Sequence, residues 1–157
     1  MAQVALYEGM EVHVMTRAER SRQLAEELGV TSVRGAAERP PAPLDGAVLF
    51  APVGTLVPVA LEALDRGGVL AVAGIHLSEV PPLSYAKHLF EERELRSVTA
   101  NTRADGEEFL ELAGRIPLRV DTTLYPFEGA GEALRDLAGD RVTGAAVLRV
   151  AERLPSN

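Results

Sequence analysis

Thr16, Arg17 and Arg20 form a short cluster directly after the β-branched run 11–15. A guanidinium can grip a phosphate through two parallel hydrogen bonds, and a hydroxyl beside it adds a third donor. The competing reading is a solvated helix start with scattered charge. Other chain segments place small, non-acidic residues after apolar runs: Ala51, Pro52 and Val53 after Phe50, then Ala73, Gly74 and Ile75 after Val72, then Ala100 and Asn101 after Thr99. Small residues let a flat heterocycle lie against the backbone, although each segment alone also reads as ordinary turn chemistry.

The three histidines, His13, His76 and His88, are not spaced with one another or with a carboxylate as metal ligands would be. His13 reads as a strand residue, His76 as a loop residue that either hydrogen-bonds a ligand at the nearby candidate site or is a plain loop histidine, and His88 as a surface residue on a helix. No Gly-x-Ser-x-Gly elbow occurs. The acidic run Asp105, Glu107, Glu108 and Glu111 suits a helix start and reads as a solvated face.

These residues must be positioned by alternating strands and helices. Segment 2–7 reads as the end of a helix closed by Gly9, 11–15 as a strand, and 18–28 as a helix stopped by Gly29. A weak strand is predicted at 31–34. Pro40, Pro41 and Pro43 make 35–46 a loop. Apolar runs 47–51 and 69–73 read as buried strands, the first covered on both faces. Helices are predicted at 56–65, 84–91, 105–113 and 130–137, with Phe109, Leu110 and Leu112 facing inward, and strands at 95–100, 120–125 and 145–150. This alternation predicts an α/β fold: a Rossmann-like, doubly wound, mostly parallel sheet with ligand sites at the carboxyl ends of its strands.

Composition narrows the partners. With 157 residues the chain is one domain or two small lobes. Net charge is −7 and only 4% of residues are aromatic, which argues against nucleic acid and anionic membrane as partners. There is no Cys, so disulfides and Cys-ligated metal are excluded within this sequence. No apolar run approaches the roughly 20 residues of a membrane span, and the first residues lack the basic and apolar parts of a secretion signal. The expectation is a soluble, cytoplasmic protein.

In a dinucleotide fold, the end of the second strand meets the adenosine ribose. An acid there binds the 2′-hydroxyl of NAD, and basic or hydroxyl residues accept the 2′-phosphate of NADP. Thr16 stands at that strand end in place of the acid.

Phe50-Ala51-Pro52-Val53-Gly54, the stretch from Ala60 to Gly68, Ala73-Gly74-Ile75-His76-Leu77-Ser78, Glu92 to Val98 and Asn101-Thr102-Arg103-Ala104-Asp105-Gly106 occur in order. Together they resemble the C-terminal, coenzyme-binding part of zinc-dependent medium-chain alcohol dehydrogenases, of the propanol-preferring type. The resemblance runs to about Val150. It implies hydride exchange between an alcohol or aldehyde and NADP or NAD. It also implies site roles. Thr16 occupies the ribose-binding position, and Arg17 and Arg20 the 2′-phosphate contacts. Ala51, Pro52 and Val53 form the wall beside the riboses. Ala73, Gly74 and Ile75 hold the carboxamide, and Ala100 with Asn101 meets the nicotinamide. Thr143 falls where many members carry an Arg near the pyrophosphate.

The sequence departs from the family at its front. It carries neither the zinc ligands nor the Gly-x-Gly-x-x-Gly phosphate loop, and the strand before that loop is central in the order 3-2-1-4-5-6. The expectation is a truncated product or fragment, without chemistry of its own. Residues 1–102 would be a partial NAD(P)-binding domain, and 103–157 would return toward an absent catalytic domain. Strands 11–15 and 47–51 would then pair directly or exchange elements with a second copy. A homodimer through 95–100 is implied by the resemblance. The alternatives are a zinc-free quinone or enoyl reductase relative, and a non-catalytic nucleotide-binding or structural dimer.

Overall fold

The computed structural model describes residues 1–151. The chain divides into two compact units, Met1–Leu112 and the remainder from Ala113. No helix among the described residues is long and apolar enough to cross a membrane.

The first unit opens with α1 (Ala2–Tyr7), β1 (His13–Met15), α2 (Glu19–Glu27) and β2 (Ser32–Arg34). β1 and β2 pair in parallel, with Met15 opposite Arg34. The connection between them is a helix, as a parallel pair requires. Gly29 follows α2 at φ 79°, the left-handed conformation that lets the chain leave a helix without a Cβ clash.

Next come β3 (Leu44–Leu49), α3 (Leu56–Ala63), β4 (Leu64–Val72), α4 (Tyr85–His88) and β5 (Glu94–Ser97). They form a second parallel sheet in the order β3-β4-β5. The core sits here. Val57 and Leu61 of α3 are fully buried against Leu64, Leu70 and Val72 of β4, with Leu44, Ala47 and Leu49 of β3 packed beside them. Each fully buried aliphatic side chain contributes about 1.5–3 kcal/mol. The helix α5 (Arg103–Arg115) follows. The second unit contains β6 (Thr122–Pro126), the 3₁₀ turn Phe127–Gly129, α6 (Ala130–Ala138) and β7 (Ala145–Arg149), with β6 and β7 parallel.

Several sequence expectations are corrected. β3 is not covered on both faces: Val48 is 43% exposed and Phe50 59% exposed, because α3 packs on one side only. β3 also begins at Leu44, inside the predicted loop, since Leu44 contributes to the core. Helix α3 stops at Ala63, and β4 starts at Leu64 with a register shift against β3. β5 ends at Ser97, short of Ala100. Phe109 and Leu110 do not face inward: they are exposed, and α5 buries no residue. β1 and β3 do not pair with each other; among the described residues the two sheets of the first unit are separate.

Candidate nucleotide-binding site

The β1–β2 end is built by backbone hydrogen bonds around Thr16. Its amide donates to the Arg34 carbonyl at 3.0 Å, which extends the parallel ladder one residue past the strand. Its carbonyl accepts from Arg22 Nε at 3.3 Å. Arg22 sits in the first turn of α2, so the helix and the strand end hold Thr16 from two sides. The Thr16 hydroxyl and the Arg17 and Arg20 guanidiniums take no partner among the described residues, and both arginines are exposed. The arrangement offers fixed backbone and free donors, which suits a phosphate or another small anion.

Sequence reasoning assigned no role to Arg22 or Arg34. Arg22 lies in the same basic run, but its contact depends on the turn geometry. Arg34 is eighteen residues from Thr16 and adjoins it only through the parallel pairing. An exposed Arg ending the second strand of the pair was the available signal.

The β3 and β4 ends lie together. The Ala73 amide donates to the Leu49 carbonyl at 2.9 Å, and a Cβ on Gly74 would stand 3.1 Å from the Phe50 carbonyl oxygen. Ala51 therefore borders Gly74, its carbonyl oxygen 3.5 Å from that Cβ position. The following loop folds back onto this edge. Ser78 Oγ accepts from the Gly54 amide at 2.9 Å, and the Ser78 amide donates to the Pro52 carbonyl at 3.3 Å. A Cβ on Gly54 would overlap the carbonyl oxygens of Ser78 and Glu79, so the close approach demands glycine. Ser78, in the quoted family stretch, had no assigned role. Ile75 is 83% exposed and stands clear of the core, as does His76.

The β5 end is looser. The Val98 amide donates to the Val72 carbonyl at 2.9 Å, beyond which Ala100 and Asn101 are exposed. Thr102 then caps α5. Its amide and hydroxyl donate to Asp105 Oδ2 at 2.6 and 2.8 Å, and the Asp105 amide donates to Thr102 Oγ1 at 3.2 Å. The Thr102 amide, and then its hydroxyl, hold the Asp105 carboxyl below its ordinary value. The structure thus sets the Ala51 carbonyl beside Gly74, keeps Thr16, Arg17 and Arg20 on the other sheet, and among the described residues gives Ala100 and Asn101 no hydrogen bond to either. Thr143 belongs to the second unit, where its carbonyl accepts from Thr123 Oγ1 at 3.1 Å.

Two histidines are structural. His13 Nδ1 lies 2.8 Å from Ser32 Oγ across the β1–β2 pair. His88, expected at the surface, is only 6% exposed. Its Nδ1 accepts from the Ser84 amide at 2.8 Å, so the neutral ring carries its proton on Nε2, 3.3 Å from Glu62 Oε1. Among the described residues no group of three or more His, Asp or Glu side chains could hold a metal ion. The donor set here does not fit a zinc site.

No family model matches the chain. It is 58% identical, over 149 residues, to a probable alcohol dehydrogenase (AdhA) of Mycobacterium tuberculosis (strain CDC 1551 / Oshkosh), covering 95% of this chain and 43% of that protein. Among solved structures, a cinnamyl alcohol dehydrogenase of Sorghum bicolor superposes with a TM-score of 0.80 at 20% identity, over 99% of this chain and 46% of the other. A Helicobacter pylori CAD complexed with NADP(H) gives 0.74 at 20% identity, over 94% and 43%. These two likenesses establish the Rossmann-type fold. The chain spans less than half the length of each of the three proteins. Its residue motifs and its 58% identity to the first of these agree: the chain is similar to part of a probable alcohol dehydrogenase and shares the fold of solved alcohol dehydrogenases.

Proposed function

We propose that this chain is the coenzyme-binding portion of an NAD(P)-dependent oxidoreductase that exchanges hydride with a small alcohol or aldehyde, and that it prefers NADP. The observation that carries this reading is the β1 end. Thr16 is fixed through both of its backbone groups, its hydroxyl is free, and Arg17 and Arg20 have no carboxylate partner among the described residues. A 2′-phosphate supplies the missing anion, with charge-assisted bonds to each guanidinium. Thr16 also lacks the negative charge that would repel it.

The remaining contacts follow the strand ends. Ala51, Pro52 and Val53 form the wall beside the riboses, and their small side chains leave the backbone accessible. The backbone of Ala73, Gly74 and Ile75 binds the nicotinamide carboxamide, and Ala100 with Asn101 borders the ring. Bound coenzyme supplies the hydride acceptor. This chain's residues bind and orient it, and zinc ligation and proton relay lie outside them. Residues 1–102 carry the coenzyme contacts, while 103–157 return toward a catalytic domain. The 157-residue chain alone binds coenzyme without turnover, as a cytoplasmic homodimer joined along the exposed edge strand Glu94–Ser97. The NADP(H) complex of the Helicobacter pylori CAD supports the cofactor class.

Titrating the purified chain with NADPH and NADH, followed by nicotinamide fluorescence, tests the reading. NADPH is expected to bind more tightly, and replacing both Arg17 and Arg20 by Glu should abolish the difference. Equal affinities, or no binding by folded protein, would overturn it.

A further inference from the structure

We propose that Arg34 is a third ligand of the phosphate site and sets specificity for nucleotides bearing a 2′-phosphate. This rests on the reading that Thr16, Arg17 and Arg20 receive that group. The parallel register puts Arg34 opposite Met15, and the Thr16 amide donates to its carbonyl at 3.0 Å. Neighbouring strands are separated by about 4.8 Å, less than the length of an arginine side chain. The Arg34 guanidinium, on a side chain of that length and on the face it shares with Met15, can extend to the turn that carries Thr16 and Arg17.

That guanidinium is exposed and takes no partner among the described residues. The neighbouring carboxylate of Glu38 is turned instead onto the Gly35 amide at 3.1 Å. Glu19, at the start of α2, is not paired with Arg34 either. Four other arginines of the unit find acids: Arg39 pairs with Glu62, Arg66 and Arg93 with Glu91, and Arg96 with Glu94. In a chain of net charge −7, three unpaired guanidiniums carried by the segments that meet at one sheet end favour an anion between them. A phosphate monoester, close to doubly charged at neutral pH, has oxygens enough for three such ligands and the Thr16 hydroxyl.

The test measures binding of adenosine 2′,5′-bisphosphate and of adenosine 5′-monophosphate to the full 157-residue chain by calorimetry. Wild type should prefer the bisphosphate. Arg34→Gln should weaken bisphosphate binding about tenfold and leave the monophosphate nearly unchanged. Arg34→Lys should give an intermediate loss, because an ammonium cannot form the two-pronged contact. A wild-type preference that Arg34→Gln leaves intact overturns this inference and spares the reading of Thr16, Arg17 and Arg20. A wild type without preference overturns both. If Arg34→Gln does not fold by circular dichroism, Arg34→Lys decides: unchanged bisphosphate affinity overturns the role of Arg34.

Discussion

Glu62 accepts a hydrogen bond from the buried His88 ring at 3.3 Å while its second oxygen meets Arg39 at 3.0 Å. One carboxylate thus links α3 to both α4 and the proline-rich loop. The two contacts differ in weight. His88 is buried, and removing its partner strands a polar nitrogen; Arg39 is 78% exposed. Glu62→Ala should lower stability by about 1–3 kcal/mol. Arg39→Ala should lower it by less than about 1 kcal/mol. Urea unfolding of both variants checks the order. Equal effects would mean that the His88 contact has no special role.

Arg22 should act on coenzyme choice without touching coenzyme. It binds the Thr16 carbonyl, so Arg22→Met leaves the helix intact and frees the turn. NADPH affinity is expected to fall by about three- to tenfold, the equivalent of one hydrogen bond. NADH affinity should change less. A parallel loss for both coenzymes, seen in the same fluorescence titration, would point to general unfolding of the β1 end.

The Gly54 contact makes a steric prediction. Gly54→Ala places a methyl against the Ser78 and Glu79 carbonyls and should destabilise by about 1–3 kcal/mol as the loop is pushed away. Ser78→Ala removes only the acceptor of the Gly54 amide and should lower stability by about 1 kcal/mol. Thermal melts of the two variants separate them. Gly54→Ala melting like wild type would show that the loop does not rest on that residue.

The second unit should respond to pH from both sides. Asp136 accepts from Arg141 Nε and from the Tyr125 hydroxyl, each at 3.0 Å. Arg141 first, then Tyr125, hold its carboxyl below the ordinary 3.8. A carboxyl lowered on folding stabilises above its unfolded value, and that contribution disappears as pH falls through the folded value. Desolvation, and then the bond to Asp136, raise the Tyr125 hydroxyl above 10.0. Its contribution is complete below that value and is lost as pH rises through the folded one. Asp136→Asn should flatten the acid limb of a stability–pH profile. An unchanged acid limb would remove Asp136 from the account.

Much of the fold was legible because its signals are local. Gly29 closes α2, and apolar runs mark β3 and β4. The failures concern what covers an element. Val48 and Phe109 carry the side chains of buried residues, yet their exposure depends on which neighbour packs against them. His88 reads as surface beside Lys87 until Ser84 and Glu62 enclose it. At the candidate site, the run around Thr16 was visible as basic composition. Arg34 and Ser78 were not, since each reaches its partner through strand pairing or a returning loop.

The separation of the two sheets in the first unit divides its rigidity. The buried cluster belongs wholly to α3 and β4, with β3 packed beside it, while the β1–β2 pair and α2 bury only Ala25. Amides of β1 and β2 should therefore open locally and exchange with solvent long before those of β4. An anion held by the β1–β2 end would first slow exchange there, so that occupancy is written into the least protected part of the fold.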